Sequence, residues 1–232
     1  MNKRLEWIRS LIPAGKGMID VGTDHGYLPV QLIKDGYGGA VYASDIRPGP
    51  LSSAMERAEK EGVSDRIAFS LCDGLDACPP DKVDTIVIAG MGGDTICGIL
   101  DRAEWCMSEE YLLILQPMTK AEVLRFWLVN NGFVIEQEHL VCEGDTIYQI
   151  LTARFRNQNT KLSDAELYLG AFEKQRENPL FSLHVKQQRA RLETSCAGLQ
   201  TAAQRDEVRL CFLAGTIQEM RKIEEDFHDD RN

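Results

Sequence analysis

No stretch of this chain approaches the roughly 18 apolar residues that would cross a bilayer. Its seven cysteines (72, 78, 97, 106, 142, 196 and 211) form no C-x-x-C pair, and their odd number closes no complete disulfide set. The four histidines (25, 139, 184 and 228) add no metal-ligand spacing. Free thiols in a reducing compartment follow, with no metal expected. The start, Met1-Asn2-Lys3-Arg4-Leu5-Glu6-Trp7, is charged early and has no apolar signal-peptide core, so the expected location is the cytoplasm. With 8 Pro and 19 Gly in 232 residues, collagen-like and low-complexity classes are excluded. Positive charge is scarce too: 26 Lys+Arg face 36 Asp+Glu, a net charge of −10. That excludes a chain coated in positive charge that grips nucleic acid indiscriminately. The deficit is local, however. Residues 1–153 hold 13 basic and 23 acidic residues, whereas 154–232 hold 13 of each. An anionic partner fares better with the second part.

What is present is an alternation of short apolar runs with helical patterns. Leu5, Ile8 and Ile12 share one helical face, and Pro13-Ala14-Gly15 ends that helix. Strands are predicted at Met18–Val21, Ala40–Ser44, Ile67–Leu71, Thr85–Ala89 and Tyr111–Leu115. Helices are predicted at Leu28–Ile33, at Leu51–Gly62, and from a Thr119 cap to Asn131. Phe133–Cys142 and Thr146–Phe155 flank Glu143-Gly144-Asp145 as a hairpin. The fold class expected is α/β: a Rossmann-like, mostly parallel sheet with helices on both faces, closed by an antiparallel hairpin. Five parallel strands and a hairpin match the class I methyltransferase strand count, with a dinucleotide-binding Rossmann fold as the near competitor.

After Arg156 the pattern changes. Asn157-Gln158-Asn159-Thr160 reads as a linker, and everything after Ser163 reads as helix, with Pro179 able to start one. Val185, Arg189, Leu192, Cys196, Leu199 and Ala203 form one helical stripe. Leu210, Leu213, Ile217, Met220, Glu224 and Phe227 form another. Broken near Ala202, they predict an antiparallel helical hairpin of coiled-coil type. The expected division is a cofactor-binding domain over 1–156 and an all-α domain over 157–232.

The strongest local signal is Ile19-Asp20-Val21-Gly22-Thr23-Asp24-His25-Gly26, a strand, a Gly-bearing turn and a helix start. Ligands of open parallel sheets bind at the carboxyl ends of strands. A G-x-G-x-x-G fingerprint fails here, because Asp24 stands two places after Gly22. A carboxylate there repels a pyrophosphate but suits the ammonium of S-adenosylmethionine. Asp20 adds a second carboxylate for the amino-acid end. Asp45, closing the second strand, can accept from both ribose hydroxyls, and Cys72-Asp73-Gly74, closing the third, can read the adenine edge. The expected cofactor contacts are Asp20, Gly22, Thr23, Asp24, His25, Gly26, Asp45, Ile46, Cys72, Asp73, Gly74, Ala89 and Gly90. The fourth strand ends in Ile88-Ala89-Gly90-Met91-Gly92-Gly93-Asp94, a close-approach turn in place of the Asn/Asp-Pro-Pro-aromatic motif of amino-methylating enzymes.

Lys3-Arg4-Leu5, Asp20-Val21-Gly22-Thr23-Asp24-His25-Gly26-Tyr27-Leu28-Pro29, Ile88-Ala89-Gly90-Met91-Gly92-Gly93 and Leu115-Gln116-Pro117 together resemble the bacterial tRNA adenine-22 N1-methyltransferases. The resemblance spans essentially the whole chain. It implies a class I methyltransferase fold with a helical extension, S-adenosylmethionine as donor and tRNA as acceptor. On that basis Met91, Tyr27 and the Gln116-Pro117 turn are expected to hold the flipped adenine. Gln116 is expected to offer its carbonyl to N6, and Asp94 to take a proton or cap the next helix. Phosphate contacts are expected from Lys3, Arg4, Arg9, Lys186, Arg189, Arg191, Arg205 and Arg209. Two alternatives differ in class. One is a methyltransferase acting on a small molecule or protein, the other a non-catalytic binding protein on the same fold; the intact strand-end carboxylates argue against the latter.

Overall fold

The structure, a computed structural model, describes residues 1–175, 177–201 and 205–229, with backbone alone at 173, 174 and 227–229. The chain divides into two compact units, Met1–Thr160 and Lys161–Asn232, so the polar segment 157–160 goes with the first.

The first unit runs α1 (Lys3–Ser10), β1 (Gly17–Val21), α2 (Tyr27–Lys34), β2 (Ala40–Asp45), α3 (Pro48–Lys60), β3 (Ile67–Leu71), β4 (Thr85–Gly92), α4 (Gly93–Arg102), β5 (Leu112–Thr119), α5 (Ala121–Asn130), β6 (Phe133–Glu143) and β7 (Thr146–Phe155). The seven strands form one sheet in the order β3-β2-β1-β4-β5-β7-β6. The first five are parallel, β7 runs antiparallel to β5, and β6 is antiparallel to β7. Every residue of β1 is buried, as expected of a strand covered on both faces. One core forms beneath α4 and α5 from Ile86, Ile88, Ile96, Leu100, Leu113, Leu124 and Leu128. The other forms beneath α1, α2 and α3 from Ile8, Met18, Leu28, Val41, Ala58, Val87 and Ile150.

The chain leaves β1 toward β2 and β3 and then returns to the opposite side of β1 as β4. That reversal opens a crevice at the carboxyl ends of β1 and β4. β4 runs past Ala89, and its register with β5 breaks between Ala89 and Met91, where Gly90 takes φ +82°. Two expected caps move, by two residues and by one. The N-cap of α4 is Gly92, which places Asp94 in the first turn, and the N-cap of α5 is Lys120 rather than Thr119. A Cβ on Gly93 would collide with the Lys120 carbonyl oxygen, so the missing side chain lets the two helix starts meet.

The second unit contains α6 (Asp164–Leu169), α7 (Phe172–Gln175), α8 (Phe181–Thr201) and α9 (Glu207–Asp229). Ser163 caps α6 in a reciprocal capping box with Glu166. Pro179 lies just before α8, and Asn178 Oδ1 accepts the Leu180 N–H at 2.9 Å. Val185 and Leu192 of α8 and Leu213, Ile217, Met220 and Ile223 of α9 are buried. The stripe's two polar members are one ion pair: Arg189 Nε lies 2.7 Å from Glu224 Oε2, and Arg189 Nη1 lies 2.8 Å from Glu193. Arg221 also reaches Glu193, at 2.9 Å, so α8 and α9 pair antiparallel. The expected break near Ala202 and the stripe residue Ala203 lie outside the described residues, as does the Phe227 side chain.

Candidate active site

A cavity of about 450 Å³ lies at the carboxyl ends of β1 to β4, within the usual range for small-molecule sites. Its wall includes Asp20, Gly22, Thr23, Asp24, Tyr27, Asp45, Ile46, Cys72, Asp73, Gly74, Ala89, Gly90 and Met91. Of the expected cofactor contacts, all but His25 and Gly26 line it. Local sequence explains much of this, because each parallel strand delivers its last residues to the same sheet edge. Leu5, Ser44, Arg47, Thr95 and Ile99 line the cavity too and were not expected.

Gly22 follows β1 with φ +73°, and a Cβ there would overlap the methyl of Met91. The β1 turn and the β4 turn therefore touch across the cavity floor. Gly26 is the N-cap of α2 and packs on Ala54 of α3. His25 sits on the outer side of the turn. Its carbonyl accepts Arg57 Nε at 2.8 Å, and its exposed ring meets Tyr27 edge-on at 5.9 Å. The Arg57 guanidinium lies 3.9 Å from the Tyr27 ring centroid, which steadies a half-exposed phenol at the mouth.

The carboxylates differ in their environments. Asp20 is buried, and desolvation pushes its pKa up from 3.8 to about 6. The Thr23 hydroxyl and the Arg4 guanidinium pull the other way, and Asp45 adds to the rise. Asp45 accepts backbone N–H groups from Arg47 at 2.8 Å and from Asp24 at 3.4 Å, which ties β2 to the β1 turn. Ser44 Oγ donates to the Gly74 carbonyl at 3.0 Å, which ties β2 to the β3 turn. Asp73 pairs with Arg102 of α4 at 2.8 Å.

Two expected acceptor-side residues lie off the cavity wall. Asp94 is exposed and paired with Lys120, whose contact holds its carboxyl below the usual carboxylate range. Gln116 is fully buried, and its amide is engaged: Oε1 accepts from Arg4 Nη1 and from the Gly90 N–H at 3.2 Å, while Nε2 donates to the Pro117 carbonyl at 2.8 Å. The carbonyl expected to meet an adenine amine thus holds an arginine instead. Among the described residues no group of His, Cys, Asp and Glu is arranged to hold a metal ion. Among the described residues, too, no helix is long and apolar enough to cross a membrane.

A parallel sheet closed by a reversed strand, with acidic residues at successive strand ends, is the architecture of a class I methyltransferase, and the methyltransferase domain family matches residues 1–151. The tRNA (adenine(22)-N(1))-methyltransferase of Bacillus subtilis (strain 168) is 32% identical over 170 residues, covering 73% of this chain and 71% of the relative. The chain belongs to this family of tRNA methyltransferases. The solved B. subtilis m1A22 tRNA methyltransferase TrmK superposes with a TM-score of 0.84 at 27% identity, covering 97% of this chain and 98% of that one. Streptococcus pneumoniae Sp1610, solved in complex with S-adenosyl-L-methionine, gives a TM-score of 0.82 at 31% identity, covering 97% and 99%.

Proposed function

We infer that the chain transfers a methyl group from S-adenosylmethionine to N1 of adenine-22 in tRNA. The observation that carries this reading is the match between the cavity and the donor, in a chain whose relatives over nearly its whole length are adenine-22 methyltransferases. The cavity spans the ends of β1 to β4, where four carboxylates and two guanidiniums line it. Asp20 suits the ammonium of the amino-acid end, and Asp45 the ribose hydroxyls. The Cys72-Asp73-Gly74 turn suits the purine edge. Asp73 is already paired with Arg102, so the turn's amides are the better readers. Ile46, which is 62% exposed, supplies apolar surface for the purine ring.

When bound, S-adenosylmethionine supplies an electrophilic methyl group on sulfur. Adenine N1 carries its own lone pair, so the protein has no proton to remove before attack. Its contribution is orientation, together with negative potential where the product becomes cationic. Met91 and Tyr27 flank the acceptor side of the cavity and give the flipped base apolar and aromatic faces. Asp20, Asp24 and Asp45 supply the negative potential. Asp94, held by Lys120 outside the cavity, would serve the proton only after that pair opens.

Phosphate contacts draw on cations that the fold leaves available. Arg9 is paired with Asp35 and Arg189 with Glu224, and Arg4 faces the cavity. Lys3, Lys186, Arg205 and Arg209 make no side-chain ion pair among the described residues, whereas Arg191 is engaged, its guanidinium 5.7 Å from the Tyr168 ring centroid. A tRNA-modifying enzyme would act in the cytoplasm, where its substrate is. Labelled methyl transfer to unmodified tRNA, followed by nucleoside analysis, tests the reading. N1-methyladenosine is expected, and it should vanish when position 22 is guanine. Intact cofactor binding without transfer to any RNA refutes it.

A further inference from the structure

Helix α1 has two faces. Ile8 is fully buried and Leu5 packs beside it, so the core takes the inner face. Trp7 stands on the other and keeps 44% of its surface exposed. α1 lies along β6, whose alternate residues mark the contact. The Lys3 N–H donates to Glu143 Oε1 at 3.1 Å, Val141 is buried in the same core as Ile8, and His139 meets the indole.

The Trp7 and His139 rings form a corner, their centroids 5.4 Å apart and their planes inclined at 56°. His139 Nε2 lies 3.3 Å from Gln137 Oε1. Burial holds the imidazole below its ordinary pKa, with the nearby Glu138 carboxylate opposing, so the ring is neutral at pH 7 and offers a flat surface rather than a cation. The cation of this face is Lys3, one helical turn before Trp7, whose ammonium makes no ion pair among the described residues.

Position supplies the occupant. Arg4 and Leu5 of the same helix line the cavity, and Trp7 follows Arg4 by three residues, about 4.5 Å along the helix axis. A base drawn into the cavity leaves its strand neighbours unstacked at the mouth. One indole and one imidazole are far too little for a protein interface, which takes roughly 800 Å² a side, but they match one planar base. We propose that the Trp7–His139 corner is a stacking platform for an unpaired nucleobase next to the target adenine, with Lys3 beside it for that nucleotide's phosphate. The proposal rests on the RNA substrate inferred above. Stacking accepts any base, so the platform adds affinity and position and leaves sequence choice to the cavity.

Initial rates of methyl transfer to unmodified tRNA test this. Trp7→Ala should raise the KM for tRNA by about tenfold, the scale of one lost base stack, with S-adenosylmethionine affinity unchanged. Trp7→Phe should recover most of the loss. Trp7→Lys, which offers a phosphate a cation but a base no ring, should not. Of two tRNAs made abasic on one or the other side of the target adenine, one should lose about tenfold against the unaltered protein and nothing further against Trp7→Ala, where the stack is already gone. An unchanged KM in Trp7→Ala, full recovery by Trp7→Lys, or additive losses with both abasic tRNAs overturns the proposal. Failure of the unaltered protein to methylate any RNA overturns the substrate reading, and the platform with it.

Discussion

Asp20 couples cofactor affinity to pH. Burial raises its pKa to about 6, against an ordinary value of 3.8. A folded-state value above the unfolded one favours the protonated carboxyl, so this group's contribution to stability is greatest below pH ~4 and is lost as pH rises through ~6. A shift of that size corresponds to about 3 kcal/mol of desolvation cost carried by the ionised, ligand-free site at neutral pH. An ammonium placed against Asp20 offsets part of it. Binding therefore selects the ionised form, and affinity must rise with pH up to about 6 and then level off. At pH 5 roughly a tenth of Asp20 is ionised and at pH 7.5 nearly all, so S-adenosylhomocysteine should bind about tenfold more weakly at pH 5. Calorimetry in two buffers of different ionisation enthalpy should count about half a proton released at pH 6. Asp20→Asn should remove the slope and cost at least about tenfold in affinity at pH 7.5. A flat profile in the unaltered protein, or a slope that survives in Asp20→Asn, refutes the reasoning.

Gly93→Ala drives a Cβ into the Lys120 carbonyl oxygen, with backbone on both sides of the clash. Overpacking of this kind should cost about 2–3 kcal/mol and lower the melting temperature by about 5–10 °C, read by calorimetry; an unchanged melt refutes the contact. Thiol labelling at pH 8 should separate the cysteines. Burial pushes Cys78 and Cys106 up to about 12 and Cys97 to about 11, whereas Cys211 is exposed. Cys211 should react at once, and those three only after unfolding. Cys72, on the cavity wall, should be shielded by S-adenosylhomocysteine; equal labelling with and without it would remove Cys72 from the site.

The sequence by itself determined everything that depends on near neighbours. Short apolar runs marked the strands and period-3.6 patterns the helices, because a strand covered on both faces is apolar throughout and a helix buries one face. Gly22 and the carboxylates at strand ends were legible because a parallel sheet delivers consecutive strand ends to one edge. Family resemblance supplied the substrate, which no spacing encodes. Tertiary structure decided how side chains are shared between distant segments. Gln116 looked like a base contact, yet Arg4, 112 residues away in sequence, takes its oxygen. Asp94 looked like a cap or a base, yet Lys120 takes its carboxylate. Arg189 and Glu224 looked like flaws in two apolar stripes, yet they form one ion pair across the hairpin. A charged or amide group takes whichever partner folding brings within hydrogen-bond reach. That partner is set by topology, and local pattern carries no record of it. The net charge of −10 follows the same division. Its sum came from composition, but only the fold gathered four carboxylates around one cavity and set Arg4 among them.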